Sequence, residues 1–503
     1  MRILRVCLVL AVVTGLAAPA AVSARTANHA RTPGSSAPAP ATRTPGHAGR
    51  WLTDKHGRVV EVHGVNLVIK KAPYWPSKVG INAADARFMH RHGFTAVRLG
   101  ILMEALEPKP GQFDRAYLRA IVRTANLFAR HGVRSLVDFH QDLFATTFQG
   151  EGLPTWMVKD DGVPNAPPLG FPGNYFANEA LARTFDNFWD NAAGPKGKPL
   201  QSWYAGAWRR VATAFRGNSA VLGYDIFNEP WPGTGWQTCF PPAGCQSFDQ
   251  TRLAPFSTRI IKAIHAVDPH HIAYYEPWQP FSESAPSYLG SPGDSESGFS
   301  FHTYCAAALG VPDTAPSRAA CDHAEHTAMA DGVKQAEASG DALLLTEFGA
   351  TTNTGELSSV EKYADGNAIP WLEWAYCACD DPTGAGDAEA LVYDPTKAPT
   401  GANVNRTTLP FLDEPYPLRT AGTPASYSFD HKTGRFRYTY RTTSPVTHHH
   451  ARGKTVIFTS PLHYRHGYRA RLKGAKVLAH KRARLVIRAT AAKHVTVIVR
   501  PRK

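Results

Sequence analysis

The sequence predicts an α/β protein: a (β/α)8 TIM barrel followed by a small C-terminal all-β sandwich domain. Three observations carry this. Between residues 59 and about 377, eight short apolar runs alternate with longer amphipathic ones, the signature of parallel strands and return helices. Several of those runs are continuously apolar, as strands covered on both faces must be. From about residue 421 the helical patterns stop, and short β-rich runs follow, several separated by Gly or Pro.

The eight strand runs are 59–68, 96–101, 133–140, 221–228, 271–276, 298–304, 342–348 and 369–376. Helical patterns fill most of the gaps. Residues 83–92 run into the turn His92-Gly93. Residues 114–131 open on an acid and stop at His131-Gly132. Residues 177–191, 202–216, 248–267 and 319–339 follow, the last stopping at Gly340. A doubly wound open sheet is the rival arrangement. It normally carries a Gly-rich phosphate loop after its first strand, whereas here Asn66-Leu67-Val68-Ile69-Lys70-Lys71-Ala72-Pro73 follows. In the last domain the runs are 427–429, 435–441, 455–458, 468–472, 483–488 and 495–499.

Residues 1–24 read as a signal peptide. Arg2 and Arg5 lead an apolar run that ends in Val22-Ser23-Ala24, small residues suited to cleavage. A secreted, extracellular protein is expected, and no later apolar run reaches the length of a membrane span. Residues 25–50 form a low-complexity linker rich in Ala, Pro, Thr and Gly. The barrel is then assigned to 51–420 and the β domain to 421–503. Cys7 leaves with the signal, and six cysteines remain, an even set that suggests disulfides. Local pairing gives Cys239–Cys245, Cys305–Cys321 and Cys377–Cys379. A zinc site is the rival reading, but Cys377-x-Cys379 has no matching ligand pair.

Charge is unevenly spread over the 503 residues. Residues 1–50 hold six Arg and no acid; residues 51–420 carry −10; residues 421–503 carry +18, with Asp430 the single acid. A uniformly basic, nucleic-acid-coating protein is a poor description of this pattern.

Catalytic residues of such barrels sit at the C-terminal ends of strands. Strand two ends near Arg98 and strand three in Asp138-Phe139-His140-Gln141-Asp142. Strand four ends in Asn228-Glu229-Pro230, strand five at Glu276, strand six in His302-Thr303-Tyr304. Strand seven ends in Thr346-Glu347-Phe348-Gly349, and strand eight carries Trp371 and Trp374. Glu229 and Glu347 are the informative pair. Two carboxylates across a barrel mouth can flank a glycosidic bond, and a spacing of about 5–5.5 Å means a retaining double displacement. One must be protonated, and burial plus like charge can raise its pKa.

The run Ile226-Phe227-Asn228-Glu229-Pro230, with Thr346-Glu347-Phe348-Gly349, Arg98, His140 and His302-x-Tyr304, resembles the retaining glycoside hydrolases of family 5. The resemblance implies that Glu229 is the acid/base and Glu347 the nucleophile. It implies that Asn228 binds the sugar 2-hydroxyl and that Tyr304 orients Glu347, with Arg98, His140 and His302 in support. Over residues 51–500, through Val137–Asp142, Tyr224–Pro230, Leu345–Ala350 and Trp371–Cys377, the chain is most similar to endoglycoceramidases. Those enzymes cut the β-linkage between an oligosaccharide and ceramide. By that resemblance Lys70 (or Lys71) and Asp142 grip the sugar, and Trp374, or else Trp371, stacks beneath it. No cofactor and no metal is implied. The expected partner is a glycosphingolipid or another β-glycoside. A β-glucanase or β-glucosidase of the same family, acting on soluble or steryl glycosides, is the nearest alternative. A non-catalytic glycan- or lipid-binding protein is the alternative of another class.

Long insertions at 144–176 and 231–248 are rich in aromatics and suit either a lipid tail or a packed lid. The basic domain suits either a solvated face or docking to an anionic membrane surface. It carries no motif for specific nucleic acid binding. His448-His449-His450 reads as a solvated turn after Pro445 rather than a metal site.

Overall fold

In the computed structural model the described residues are 46–304 and 314–502. The leader and most of the linker, together with Cys305, lie outside them. Eight parallel strands close into a barrel in chain order: His63–Leu67, Ala96–Ile101, Arg134–Phe139, Val221–Asp225, Ile272–Tyr275, Ser297–His302, Ala342–Glu347 and Trp371–Glu373. The first strand run divides in two. Val59–Val60 belongs to a different sheet, and only His63–Leu67 enters the barrel.

Helices Ala83–Arg91, Arg115–Arg130, Glu179–Trp189, Leu200–Phe215, Ala254–His265 and Ala315–Ser339 follow the amphipathic patterns. Their starts obey local chemistry. Asn82 closes a capping box with Asp85, and Asp114 accepts from the backbone N–H groups of Ala116 and Tyr117. A further helix, Thr354–Asn367, lies between the last two strands, where no helical pattern is evident in the sequence. Its buried face carries Glu356, Glu361 and Asp365 beside Leu357, Val360 and Ala364, so no clean apolar stripe shows.

The lower end of the barrel is plugged by aliphatic side chains. Leu52, Val60 and Val62 pack against Leu136, Leu222, Ile272, Leu344 and Leu372. Gly64 permits this: a Cβ there would lie 2.3 Å from the Ala96 carbonyl oxygen.

The β domain is a sandwich of two antiparallel sheets. One has four strands: Thr423–Asp430, Arg435–Arg441, His494–Pro501 and Tyr468–Lys473. The other has seven: Gly46–Ala48, Trp51–Thr53, Val59–Val60, Arg419–Thr420, Thr455–Phe458, Arg484–Ala489 and Ala475–Lys481. The boundaries drawn from composition therefore move. Gly46–Ala48 is a strand inside the segment read as linker, and residues 46–60 supply three strands to the C-terminal sandwich. Val59 and Val60 pair with Thr420 and Arg419 across the boundary at 420. The reason is local: Trp51-Leu52-Thr53 and Val59-Val60 are β-branched or aromatic runs around the turn Asp54–Gly57.

Two disulfides are present among the described residues, Cys239–Cys245 and Cys377–Cys379. The expected partner of Cys321, Cys305, is not described. No helix of the described residues is long and apolar enough to cross a membrane. His448–His450 is an exposed turn.

Candidate active site

The upper halves of the same strands point polar groups inward around one cation. Arg98 was expected at a strand end, but its strand runs on to Ile101, so the side chain rises inside the barrel. It is fully buried. Nε donates to Asp225 Oδ2 at 2.8 Å, and Nη2 donates to Asn228 Oδ1 at 2.8 Å and Glu276 Oε1 at 3.1 Å. Asp138 Oδ1 lies 3.1 Å from Nη2, and Nη1 donates to Glu347 Oε1. Burial opposes the guanidinium charge, but these carboxylates overrule it and hold the pKa well above its usual value. A planar five-donor group suits such a hub; an ammonium cannot reach so many acceptors in a plane.

Glu347 ends the seventh strand and Glu229 follows the fourth. One carboxylate oxygen of each and a ring nitrogen of His302 lie within 4.8 Å of one another. The surroundings of the two glutamates differ. Glu347 accepts from Arg98 on one oxygen and from the Tyr304 hydroxyl on the other, at 2.8 Å. Among the described residues, no Arg or Lys forms an ion pair with Glu229. Its Oε1 is 2.8 Å from His302 Nδ1, and its backbone N–H donates to Glu276 Oε2 at 3.0 Å. Burial raises the Glu229 pKa, Glu347 and Asp142 add to the rise, and His302 opposes it. Glu229 also has φ of 43°, a left-handed conformation unusual for a residue with a side chain. Strain of this kind, of order 1–3 kcal/mol, persists where surrounding structure imposes it.

His302 lies between three acids. Burial favours its neutral ring, but the charges of Glu276 and Glu347 raise its pKa well above the ordinary value. Burial pushes the Glu276 carboxyl up, yet His302 and Arg98 prevail and bring it to about 2. Glu276 directly follows the fifth strand, Ile272–Tyr275. It is 3% exposed and touches Arg98, His302 and the Glu229 backbone, which puts it beneath the site.

A second cation stands across the mouth. Lys70 Nζ donates to Asp142 Oδ2 and Thr383 Oγ1, both at 2.7 Å, with Asp381 at 2.9 Å and Glu151 at 3.5 Å. It also sits 4.5 Å from the Trp374 ring centre. The two candidate lysines differ in burial: Lys70 is inside and Lys71 is exposed. Trp374 likewise separates from Trp371. Trp374 stacks on His140 at 5.2 Å and faces the cavity. Trp371 stacks on His63 at 4.0 Å in the core, and Trp278 is fully buried. His140 Nδ1 bonds Asp138 Oδ2 at 2.8 Å.

These groups enclose a cavity of about 310 Å³. Lys70, His140, Asp142, Asn228, Glu229, Tyr304, Glu347 and Trp374 line it, whereas Arg98 and His302 are absent from its walls. Asn228 spends Oδ1 on Arg98 and one Nδ2 hydrogen on the Gln141 carbonyl at 3.0 Å, leaving one donor. Glu151, Asp381, Thr383, Glu283 and Glu389 were not foreseen. Glu283 ends the short 3-10 helix Gln279–Glu283 and the others arrive on connecting segments, where no strand end marks them. Asp138 and Asp225 had a readable signal, each being an acid inside an apolar run.

The two insertions divide between packing and exposure. Phe144, Phe148, Met157 and Tyr175 are buried, and Phe171 lines the cavity. Leu169 and Phe176 remain exposed at 46% and 45%, with Phe176 against Trp236 at 5.3 Å.

Residues 53–380 match the cellulase family (glycosyl hydrolase family 5), and residues 415–499 match the glycoside hydrolase family 5 C-terminal domain. An endoglycoceramidase I of Rhodococcus hoagii (strain 103S) is 32% identical over 449 residues, 87% of this chain and 84% of that one. An endoglycoceramidase of Hydra vulgaris is 27% identical over 460 residues, covering 83% and 81%. The structure of endo-glycoceramidase II from Rhodococcus sp. as a lactosyl-enzyme intermediate superposes with a TM-score of 0.73 at 25% identity. It covers 90% of this chain and 100% of that one. With both its barrel and its β domain matched, the chain belongs to glycosyl hydrolase family 5, within its endoglycoceramidase group.

Proposed function

We propose that this chain is a retaining endo-β-glycosidase that cleaves the linkage between the glycan and the ceramide of glycosphingolipids. One observation carries the chemistry: two glutamates at the cavity floor, with oxygens within 4.8 Å, in unlike surroundings. Such closeness fits direct attack by one carboxylate, as in a retaining enzyme.

Glu347 is the nucleophile. Arg98 and Tyr304 hold both its oxygens, so the carboxylate is aimed before substrate arrives. Glu229 is the acid/base. His302 occupies one of its oxygens, which leaves the other to carry the proton, and burial favours the protonated form. Glu347 attacks the anomeric carbon as the glycosidic C–O bond breaks, and the Glu229 proton passes to the departing ceramide oxygen. Glu229 then takes a proton from water. The resulting hydroxide displaces Glu347 from the anomeric carbon, which frees the sugar and restores both glutamates.

Asp142 and Lys70, with Trp374 beside them, bind the sugar. The support is their place on the cavity wall and the similarity to endo-glycoceramidase II from Rhodococcus sp., solved as a lactosyl-enzyme intermediate. Exposed Leu169 and Phe176 by the mouth offer an apolar surface to the lipid. The chain is further proposed to be exported by its 1–24 leader and to dock weakly on anionic membrane. Arg469, Arg471, Lys473, Lys476, Lys481 and Arg482 are exposed, with apolar Val477 and Leu478 among them. Co-sedimentation no better with anionic than with neutral liposomes at low salt would sink the docking.

The decisive assay is thin-layer detection of intact glycan and ceramide from glycosphingolipids, beside a soluble β-glucan and an aryl glycoside. Release of both products, abolished by Glu347→Gln, is expected. Turnover confined to the soluble substrates overturns the lipid assignment.

A further inference from the structure

A third cluster of ligand-type side chains lies far from the cavity, at the seam between barrel and β domain. Glu361 comes from the helix Thr354–Asn367. Glu414 comes from the segment after the short helix Leu409–Leu412. His431 comes from the turn after strand Thr423–Asp430. One oxygen of each glutamate and one His431 nitrogen lie within 4.8 Å of one another.

Ordinary packing does not explain the arrangement. Glu361 is 2% exposed, and neither of its carboxylate oxygens has a hydrogen-bond partner. Asp365, one helical turn on, and Asp413, beside Glu414, are also buried, each with an oxygen lacking a partner. Glu414 pairs with His431, and Asp413 with His92. Among the described residues, no Lys or Arg forms an ion pair with any of these four acids. A buried carboxylate without a partner is costly, and it demands a proton or a cation.

We propose that this seam is a binding site for one divalent transition-metal ion, Zn2+ by its chemistry, ligated by Glu361, Glu414 and His431. Two carboxylate oxygens and one imidazole nitrogen are a zinc donor set, whereas Ca2+ and Mg2+ take oxygen alone. Tetrahedral bonds of about 2.0–2.2 Å put ligand atoms about 3.3 Å apart, so an ion entering the cluster parts the Glu414–His431 contact and draws Glu361 to the same centre. Water completes the fourth position. The ligands come from a barrel helix, the interdomain segment and the first hairpin of the sandwich, so the ion acts as a staple between domains.

The test uses full-length protein with His448, His449 and His450 replaced by Ala, which removes the exposed histidine tract as a competing ligand. After chelator stripping, zinc is titrated by calorimetry, and bound metal, melting temperature and aryl-glycoside turnover are read together. One equivalent should bind, raise the melting temperature and leave turnover unchanged. Glu361→Gln and His431→Asn should each lose that equivalent and the thermal shift. The proposal is overturned if the parent binds no zinc, or if both variants keep the equivalent. It is also overturned if one equivalent abolishes turnover, because the ion then lies between Glu229 and Glu347. Should either variant fail to fold, X-ray absorption of the zinc-loaded parent decides. One imidazole among oxygen ligands with turnover intact supports the site, and two or more imidazoles overturn it.

Discussion

The two ends of the barrel use the same eight strands for opposite purposes. At the lower end, Leu136, Leu222, Ile272, Leu344 and Leu372 close against Leu52, Val60 and Val62 in an apolar plug. At the upper end, two or three residues further along the same strands, Asp138, Asp225 and Glu347 gather around Arg98 beneath the cavity. The lower end stabilises by burial, at about 25 cal/mol for each Å² of apolar surface removed from water. The upper end gathers buried charge, which is weak evidence for stability and strong evidence for a site. Stability and chemistry are therefore separated along the strand direction, and substitutions should separate with them.

The largest effect should come from the top. Glu347→Gln should lower turnover by more than about 10⁴-fold, beyond what proton transfer alone supplies, while the melting temperature stays near that of the parent. Glu229→Gln should cost about 10²–10⁴-fold on the lipid and much less on an aryl glycoside whose leaving group needs no proton. Steady-state kinetics on both substrates checks this. Equal losses on both would break the division of roles. Leu222→Ala makes the converse cut. It should destabilise by about 2–5 kcal/mol in urea unfolding and leave kcat/KM of the folded enzyme unchanged. A large kcat change there would mean that the ends are coupled.

Trp374→Ala should be milder, raising KM by about tenfold through lost ring contact, because aromatic pairs contribute about 0.5–1.5 kcal/mol beyond area. A separate effect concerns pH. Glu61, at the lower end between Val60 and Val62, has its carboxyl raised by burial to about 8 from an ordinary value near 4.5, against the pull of Arg50. A raised carboxyl stabilises the fold below its unfolded value, and that contribution is lost as pH rises through the folded one. Glu61→Gln should therefore gain on the parent in melting temperature between pH 4.5 and 8. A constant difference across that window would show that Glu61 does not titrate there.

Much of this was legible because buried parallel strands are written as continuous apolar runs, and polar residues that end or interrupt them stand out. Glu229, Glu347, His140, His302 and Tyr304 stand out that way; four of them line the cavity, and His302 supports Glu229 from behind its wall. What escaped had no such contrast. The partners of Lys70, Asp381 and Thr383, sit on a loop after the last strand, and only three-dimensional closure brings them to it. The helix Thr354–Asn367 hides its inner face behind acids. Strand Ala475–Lys481 is a sheet edge with mostly exposed residues, so it lacks a buried alternate face. Composition placed Gly46–Ala48 in a linker because pairing with Trp51–Thr53 is a property of two segments together.

The pairing of Val59 and Val60 with Thr420 and Arg419 has a consequence for synthesis. These residues are about 360 positions apart, so the chain leaves the ribosome with its first strands waiting for a partner made last. The barrel plug, which includes Val60, cannot be locked until the final hundred residues emerge. A chain ending after residue 418 should therefore leave an open sheet edge and misfold or aggregate. The hydrolase and its C-terminal domain, although matched as separate units, should behave as one folding unit that no cut at their junction divides cleanly.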